Sequence, residues 1–97
     1  MKSMLITYDQ AYDYKVLDIL SKFNIRGYTE WMGITGQGSK TGEPHFGTHA
    51  WPGLNNAVIS IMDDEKVKPV LEQLRKLDAE SELLGIRAFV WNIEDGM

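Results

Sequence analysis

Hydrophobic and polar positions along the chain first follow a strand period and then a helix period. Residues 3–9 alternate weakly between the two classes and contain large apolar side chains, which predicts a strand. Over residues 11–23 the apolar positions recur at helical spacing, so they share one face of a helix. Asp9 is a suitable N-cap for this helix, and Asn24 with Gly27 can end it.

The remainder of the chain predicts three more strands and a second helix. Residues 28–34 are aromatic and alternating, residues 54–62 are rich in β-branched side chains, and residues 85–93 alternate again. Residues 64–79 keep the period of an amphipathic helix. The order βαββαβ indicates an α+β fold, a ferredoxin-like sandwich with a four-stranded antiparallel sheet and two helices on one face. We expect residues 1–97 to form a single domain.

The start of the second helix contains both a capping signal and a helix-breaking residue. Asp63 and Asp64 can cap the helix, because their short carboxylates accept hydrogen bonds from free backbone N–H groups. Pro69 follows soon afterwards. It either lies one turn inside the helix, where it removes one hydrogen bond, or occupies the first helical position.

The last predicted strand is apolar on both sides. Its alternating positions are Ile86, Ala88 and Val90 on one side, and Phe89, Trp91 and Ile93 on the other. Two helices can cover only one face of a four-stranded sheet, and an apolar second face needs another cover. We therefore expect the protein to self-associate across the open face of the sheet.

Composition narrows the class of protein. The 97 residues carry a net charge near −4 and the ten basic residues are scattered, which argues against nucleic acid as a partner. Because there is no cysteine, disulfides and thiolate metal sites are excluded. The sequence has neither a signal-peptide pattern nor an apolar run of membrane-spanning length, so we expect a cytoplasmic protein without membrane insertion.

Residues 33–56 hold six of the nine glycines and both histidines, and their start is close to a phosphate-binding loop. Gly33 and Gly38 have the spacing of a Walker loop, but Ser39 displaces Lys40 by one position. No helix is predicted after them, so no helix N-terminus would face the phosphates. These departures argue against a true P-loop, although successive glycines can still expose backbone N–H groups as an anion-binding nest.

The same stretch offers a candidate metal site. Glu43, His45 and His49 supply one oxygen and two nitrogens, the only kind of transition-metal site open to a chain without cysteine. Pro44 and Gly47 place the histidines in a loop, so their spacing does not define a site. Either a neighbouring subunit completes this metal site, or both histidines lie on the surface and hydrogen-bond locally.

The sequence contains no recognisable catalytic motif. Adjacent motifs do not supply a nucleophile, a base and an orienting carboxylate. Two histidines without a cysteine leave few ways to run acid–base chemistry near neutral pH. Glu30, within the aromatic strand, is interpreted as a solvent-face residue rather than as an acid or base. The sequence therefore predicts a protein that is not an enzyme.

Three pieces of the chain resemble a known family. They are residues 24–39 (NIRGYTEWMGITGQGS), 55–74 (NNAVISIMDDEKVKPVLEQL) and 85–96 (GIRAFVWNIEDG). In their order and glycine-rich loop base they are similar to the PII-like signalling proteins of the nitrogen regulatory PII superfamily, and more distantly to CutA-like trimers. The resemblance implies a homotrimer with its sheets facing inward. It also implies a mobile T-loop at residues 37–53 that contacts a regulated transporter or enzyme.

The resemblance further implies an effector, often an adenine nucleotide (ATP, ADP or AMP), held in the clefts between subunits. The counterpart residues here are Gly36, Gln37, Gly38 and Lys40 at the base of the loop, and Arg87 at the last strand. Arg87 is the only cation in ESELLGIR, where the family places a second phosphate loop. The resulting hypothesis is a non-enzymatic trimer that responds to a nucleotide or another anion.

Two other functions stay open. A trimer that binds a divalent or transition-metal ion would use Glu43, His45 and His49. A ferredoxin-like monooxygenase or isomerase of similar length would form a dimer with a pocket between sheet and helices. A trimeric mass would therefore argue against the enzyme.

Overall fold

The computed structural model describes residues 1–36, 54–80 and 85–97. Within these ranges it contains one four-stranded sheet and two α-helices in the predicted order. The elements are β1 (Lys2–Asp9), a 3-10 turn (Gln10–Tyr12), α1 (Asp13–Lys22), β2 (Thr29–Ile34), β3 (Asn55–Met62), α2 (Asp64–Asp78) and β4 (Arg87–Asn92). The bounds agree with the predictions to within one or two residues. At the first helix the difference arises because the 3-10 turn occupies the predicted first turn.

The strands lie in the order β2-β3-β1-β4, and each neighbouring pair is antiparallel. Ile6 of β1 lies opposite Val58 of β3 on one side and opposite Ala88 of β4 on the other. All three side chains pack into the cluster that the helices cover. The predicted ferredoxin-like α+β fold, with an antiparallel sheet, is confirmed.

The core lies between one face of the sheet and the two helices. Ile6, Val16, Val58 and Val70 come from β1, α1, β3 and α2, and each has 0% of its surface exposed. They belong to one cluster with other large side chains of the same elements, including Met4, Tyr8, Leu20, Met62 and Leu74. Because apolar burial is worth about 25 cal/mol per Å², this layer supplies the main stabilisation of the fold.

Asp9 and Asn24, the predicted end residues of the first helix, lie at the two ends of the segment formed by the 3-10 turn and α1. Asp9 accepts a hydrogen bond from the backbone N–H of Ala11 at 2.8 Å, which caps the 3-10 turn that leads into the helix. At the other end Asn24 adopts a left-handed φ of 57°. Ile25 N–H then donates to the Leu20 carbonyl at 2.9 Å, as in a Schellman motif. Asn24 therefore ends the helix, and Gly27 is not needed for that role.

The start of α2 differs from the prediction in one respect. Asp63 occupies the N-cap position but its side chain makes no cap hydrogen bond, and Asp64 pairs with the amino terminus of Met1 at 2.9 Å. Both carboxylates still lie near the positive end of the helix dipole. Pro69 lies inside the helix, the first of the two predicted alternatives. Among the described residues, neither helix is long and apolar enough to cross a membrane.

The face of the sheet away from the helices carries large apolar side chains. In register, Ile59 of β3 lies opposite Leu5 of β1, and Leu5 lies opposite Phe89 of β4. Further large side chains on this open face are Trp31, Ile61 and Trp91. Trp31 is 46% exposed, Phe89 58% and Trp91 45%. The predicted two-sided apolar sheet is therefore present, and no helix or strand of the described ranges covers its second side.

Candidate functional site

The strand ends that bear on the candidate site all lie at the same end of the sheet. Ile34, at the end of β2, pairs with Asn55 at the start of β3, and Asn55 pairs with Asp9 at the end of β1. Arg87, which begins β4, lies opposite Thr7 of β1 near the same end. The positions at which residues 37–53 leave and rejoin the sheet are thus at the end where β4 begins.

Gly36 lies against β3 immediately before residues 37–53. A Cβ placed on Gly36 would lie 2.5 Å from Nδ2 of Asn55, closer than two such atoms can approach. Any other residue at position 36 would therefore displace the Asn55 amide. Gly36 is thus in close contact with the Asn55 side chain, which would have to move to admit a larger residue.

Gly33 is held at the end of β2 by a side chain of β3. Its backbone N–H donates to Oδ1 of Asn56 at 2.9 Å, and Asn56 is 2% exposed. Gly33 has a left-handed φ of 65°, at an irregularity where the register between β2 and β3 shifts after Trp31. Glycine adopts this conformation without steric cost. The chain leading to residues 37–53 is therefore fixed by one buried amide.

The Asn56 amide is itself fixed by the first turn of α1. Its Nδ2 donates to Oδ1 of Asp13 at 3.1 Å, and the Tyr8 hydroxyl donates to the same oxygen at 2.7 Å. Burial, together with the Asp13 carboxylate, raises the pKa of Tyr8, so this hydroxyl remains a donor. We call Asp13, Asn56 and the Gly33 N–H the brace. It links the start of α1 to the end of β2.

Glu30 is placed differently from the sequence interpretation. It lies opposite Val58, on the side of the sheet that the helices cover, and not on a solvent face. Its Oε1 is buried and has no hydrogen-bond partner among the described residues. A hydrogen bond to Asp13, burial and the Asp13 charge raise the pKa of Glu30 from 4.5 to about 7. Glu30 is therefore a titratable group next to the brace.

The pKa of Asp13 moves the other way. Burial of its carboxyl raises that pKa, but hydrogen bonds from Glu30, Tyr8 and Asn56 outweigh this effect and leave the pKa below 3.8. Two carboxyl groups in contact cannot both ionise without repulsion, so their pKa values separate. These opposite directions favour the proton on Glu30 and the charge on Asp13.

Arg87 is exposed at the start of β4, beside a shallow cavity. Its Nη1 donates to the Ile86 carbonyl at 3.2 Å, and the Ile86 N–H donates to Oδ1 of Asp78 at 2.9 Å. Arg75 of α2 lines the same cavity of about 220 Å³. Two guanidinium groups at one cavity can bind an anion, although the Asp78 carboxylate that also lines the cavity offsets part of their charge. The sequence analysis did not identify Arg75, because only the fold brings α2 beside β4.

Gly36 and Arg87 do not meet within one chain. They are attached to β2 and β4, the two outer strands, with β3 and β1 between them. Strands are spaced about 4.8 Å apart, so the outer strands are about 14 Å from each other. A ligand in contact with both residues would therefore need two subunits, or a span across the end of the sheet.

The other predicted site residues lie outside the described residues. These are Gln37, Gly38 and Lys40 of the effector set and Glu43, His45 and His49 of the metal set. In the described ranges, no group of three or more histidine, aspartate or glutamate side chains is placed to hold a metal ion. Gly36 and Arg87 are thus the predicted site residues whose surroundings the structure shows.

The arrangement of strands and helices is that of the PII-like nitrogen regulatory proteins. CPII from Thiomonas intermedia K12, in a structure bound to ADP, AMP and bicarbonate, has a TM-score of 0.74 with 19% sequence identity, over 97% of this chain and 88% of that chain. A candidate PII-like signalling protein from Thermus thermophilus has a TM-score of 0.69 with 20% identity, over 95% and 85%. The sequence matches no protein-family model and no curated protein. The predicted PII-like fold is therefore confirmed.

Proposed function

We propose that the protein is a non-enzymatic signalling protein that binds an adenine nucleotide and regulates a partner through residues 37–53. The observation that carries this proposal is the fold shared with CPII over nearly the whole length of both chains, since CPII was solved with ADP, AMP and bicarbonate. The proposed partner is a transporter or an enzyme, and the proposed compartment is the cytoplasm. The effector selects one conformation of the 37–53 segment, which the partner then recognises.

The proposed assembly is a homotrimer in which the open faces of the sheets pack together. Trp31, Phe89 and Trp91 support this, because they expose large apolar area on one face of the sheet while the helices cover the other. A soluble domain rarely leaves such a contiguous face uncovered. A second copy of the same chain offers a surface of the same chemistry.

The proposed effector site lies between subunits. Gly36 and Arg87 support this placement because they stand on opposite edges of one sheet. Packing of sheets edge beside edge would bring Arg87 of one subunit toward the Gly36 end of the next. The charge of Arg87 suits a phosphate group. Arg75 adds a second positive charge at the same cavity.

Native mass spectrometry and calorimetry with ADP and AMP, each with and without bicarbonate, test this proposal. We expect a trimer that takes up nucleotide. In calorimetry, Gly36→Ala should weaken ADP binding at least tenfold, because its Cβ displaces the Asn55 amide. The matched control is Gly27→Ala, where a Cβ meets no atom within 4 Å. A trimer that binds no nucleotide would contradict the proposed effector. A monomer or dimer would contradict the proposed homotrimer.

A charge variant tests the second half of the site. Arg87→Ala should also weaken ADP binding at least tenfold, because one guanidinium contact to phosphate is lost. Arg26→Ala is the control, since Arg26 is also exposed but lies near Met62 at the far end of the sheet. Equal affinity in Arg87→Ala and Arg26→Ala would place the phosphates elsewhere.

A further inference from the structure

Asp13, Glu30 and Asn56 form one polar group beneath the base of the 37–53 segment. Oδ1 of Asp13 already accepts two hydrogen bonds, from Tyr8 and from Asn56. A hydrogen bond between the two carboxyl groups needs a proton on one of them. The lowered pKa of Asp13 and the raised pKa of Glu30 favour Glu30 as its carrier.

The polar groups that act on this pair come from β1, β3 and the segment before β2. Tyr8 of β1 and Asn56 of β3 donate to Asp13, and Tyr28 acts on Tyr8. Lys15, two residues along α1, contacts the Glu80 carboxylate at 3.5 Å instead. Among the described residues the donors to this pair are neutral, so a second negative charge would be poorly compensated by them.

We propose that Glu30 and Asp13 bind one proton between them, and that this proton controls how firmly the brace holds the base of residues 37–53. With the proton present, Glu30 donates to Asp13, and Asp13 holds the Asn56 amide that accepts from Gly33 N–H. When the proton leaves, two carboxylates face each other and the buried Oε1 of Glu30 has no donor in the described part of the chain.

Loss of the proton acts on the end of β2 in particular. Glu30 stands three residues before Gly33, and the pairing of β2 with β3 is already irregular between Trp31 and Ile34. A segment with weak pairing is where repulsion can be relieved by a small backbone shift. Raised to about 7, the pKa of Glu30 sets this change near neutral pH.

An NMR titration of the protein without nucleotide tests this inference separately from the proposed function. The side-chain carboxyl carbon of Glu30 and the amide of Gly33 are followed between pH 4.5 and pH 9. We expect both to titrate with a common midpoint near 7. A Gly33 amide that stays fixed while Glu30 titrates, or a Glu30 midpoint near its ordinary 4.5, would overturn it.

The Gly33 amide titration in three variants tests which group binds the proton. Glu30→Gln imitates the protonated form, so the Gly33 amide should lose its titration near pH 7. Glu72→Gln removes an exposed carboxylate on α2 and should leave that titration unchanged. The double variant His45→Ala, His49→Ala removes the two imidazoles, which also titrate in this range. In this double variant the Gly33 amide should still titrate near pH 7. If its titration disappears in the double variant, or remains in Glu30→Gln, the proton belongs to another group.

Discussion

Leu5 lies between Ile59 and Phe89 in one cross-strand row on the open face of the sheet. The row joins three neighbouring strands, so it forms a continuous apolar surface rather than a single exposed side chain. Phe89, at its outer end, is 58% exposed. The interface of the proposed trimer would cover this row.

Phe89→Glu should dissociate the proposed trimer. The substitution places a charge where the apolar faces of subunits would meet, and burying an unpaired carboxylate costs several kcal/mol. Light scattering coupled to size exclusion should show a mass close to one chain, while circular dichroism shows a folded protein.

The control for this variant is Tyr14→Glu. Tyr14 is 70% exposed and lies on α1, away from the open face of the sheet. The Tyr14→Glu protein should keep the mass of the unmodified protein. A Phe89→Glu protein with that same mass would show that the open face is not the interface.

Leu20→Ala should lower the free energy of unfolding by about 3 kcal/mol, because it leaves a cavity in the core. Leu20 of α1 is 1% exposed and belongs to the cluster between sheet and helices. Leu17→Ala, on the same helix but only partly buried, should cost about 1 kcal/mol. Urea denaturation measures both, and equal losses would contradict the placement of the core.

The fold could be predicted from the sequence because each element has one strong period. The stripe of α1 and the alternation in β4 place their side chains on the faces that the structure shows, and even Phe89 and Ala88 were assigned to opposite sides. Individual hydrogen bonds were less predictable. Asp63 stands at the N-cap of α2 without capping it, since sequence specifies the position but not the rotamer.

The surroundings of the candidate site could be predicted only in part. Gly36 and Arg87 were proposed from the resemblance and stay predictions, whereas the brace was missed and Glu30 was assigned to the wrong face. Alternation within β2 separates two faces without saying which one the helices cover, and only the pairing of Glu30 with Val58 decides that. Asp13 and Asn56 are far apart in sequence, so their hydrogen bond depends on register.

Tyr8→Phe should destabilise the protein by about 1–3 kcal/mol, because it removes a hydrogen bond to a charged acceptor. The Tyr8 hydroxyl is buried and donates to Asp13 at 2.7 Å. With one donor fewer, the pKa of Asp13 should rise toward its ordinary value. Tyr14→Phe, at an exposed position, should change neither quantity. Urea denaturation and a carboxyl NMR titration check the two effects; an unchanged Asp13 pKa would contradict the geometry.

The free energy of unfolding should depend on pH through Glu30 and Asp13 in opposite directions. The folded protein raises the pKa of Glu30 from 4.5 to about 7, so it binds that proton more tightly than the unfolded chain. The stabilisation from Glu30 is therefore complete below pH 4.5 and is lost as the pH rises through 7. Asp13 has a lowered pKa, so its contribution is present above 3.8 and is lost on acidification.

Urea denaturation at pH 5, 6, 7 and 8 should show this decline in the unmodified protein. Glu30→Gln carries no ionisable group at this position, so its stability should vary less across the same range and exceed that of the unmodified protein at pH 8. Glu72→Gln, which changes an exposed glutamate on α2, should follow the unmodified curve. If Glu30→Gln and Glu72→Gln give the same pH dependence, the decline belongs to other groups, and Glu30 then gains no proton on folding.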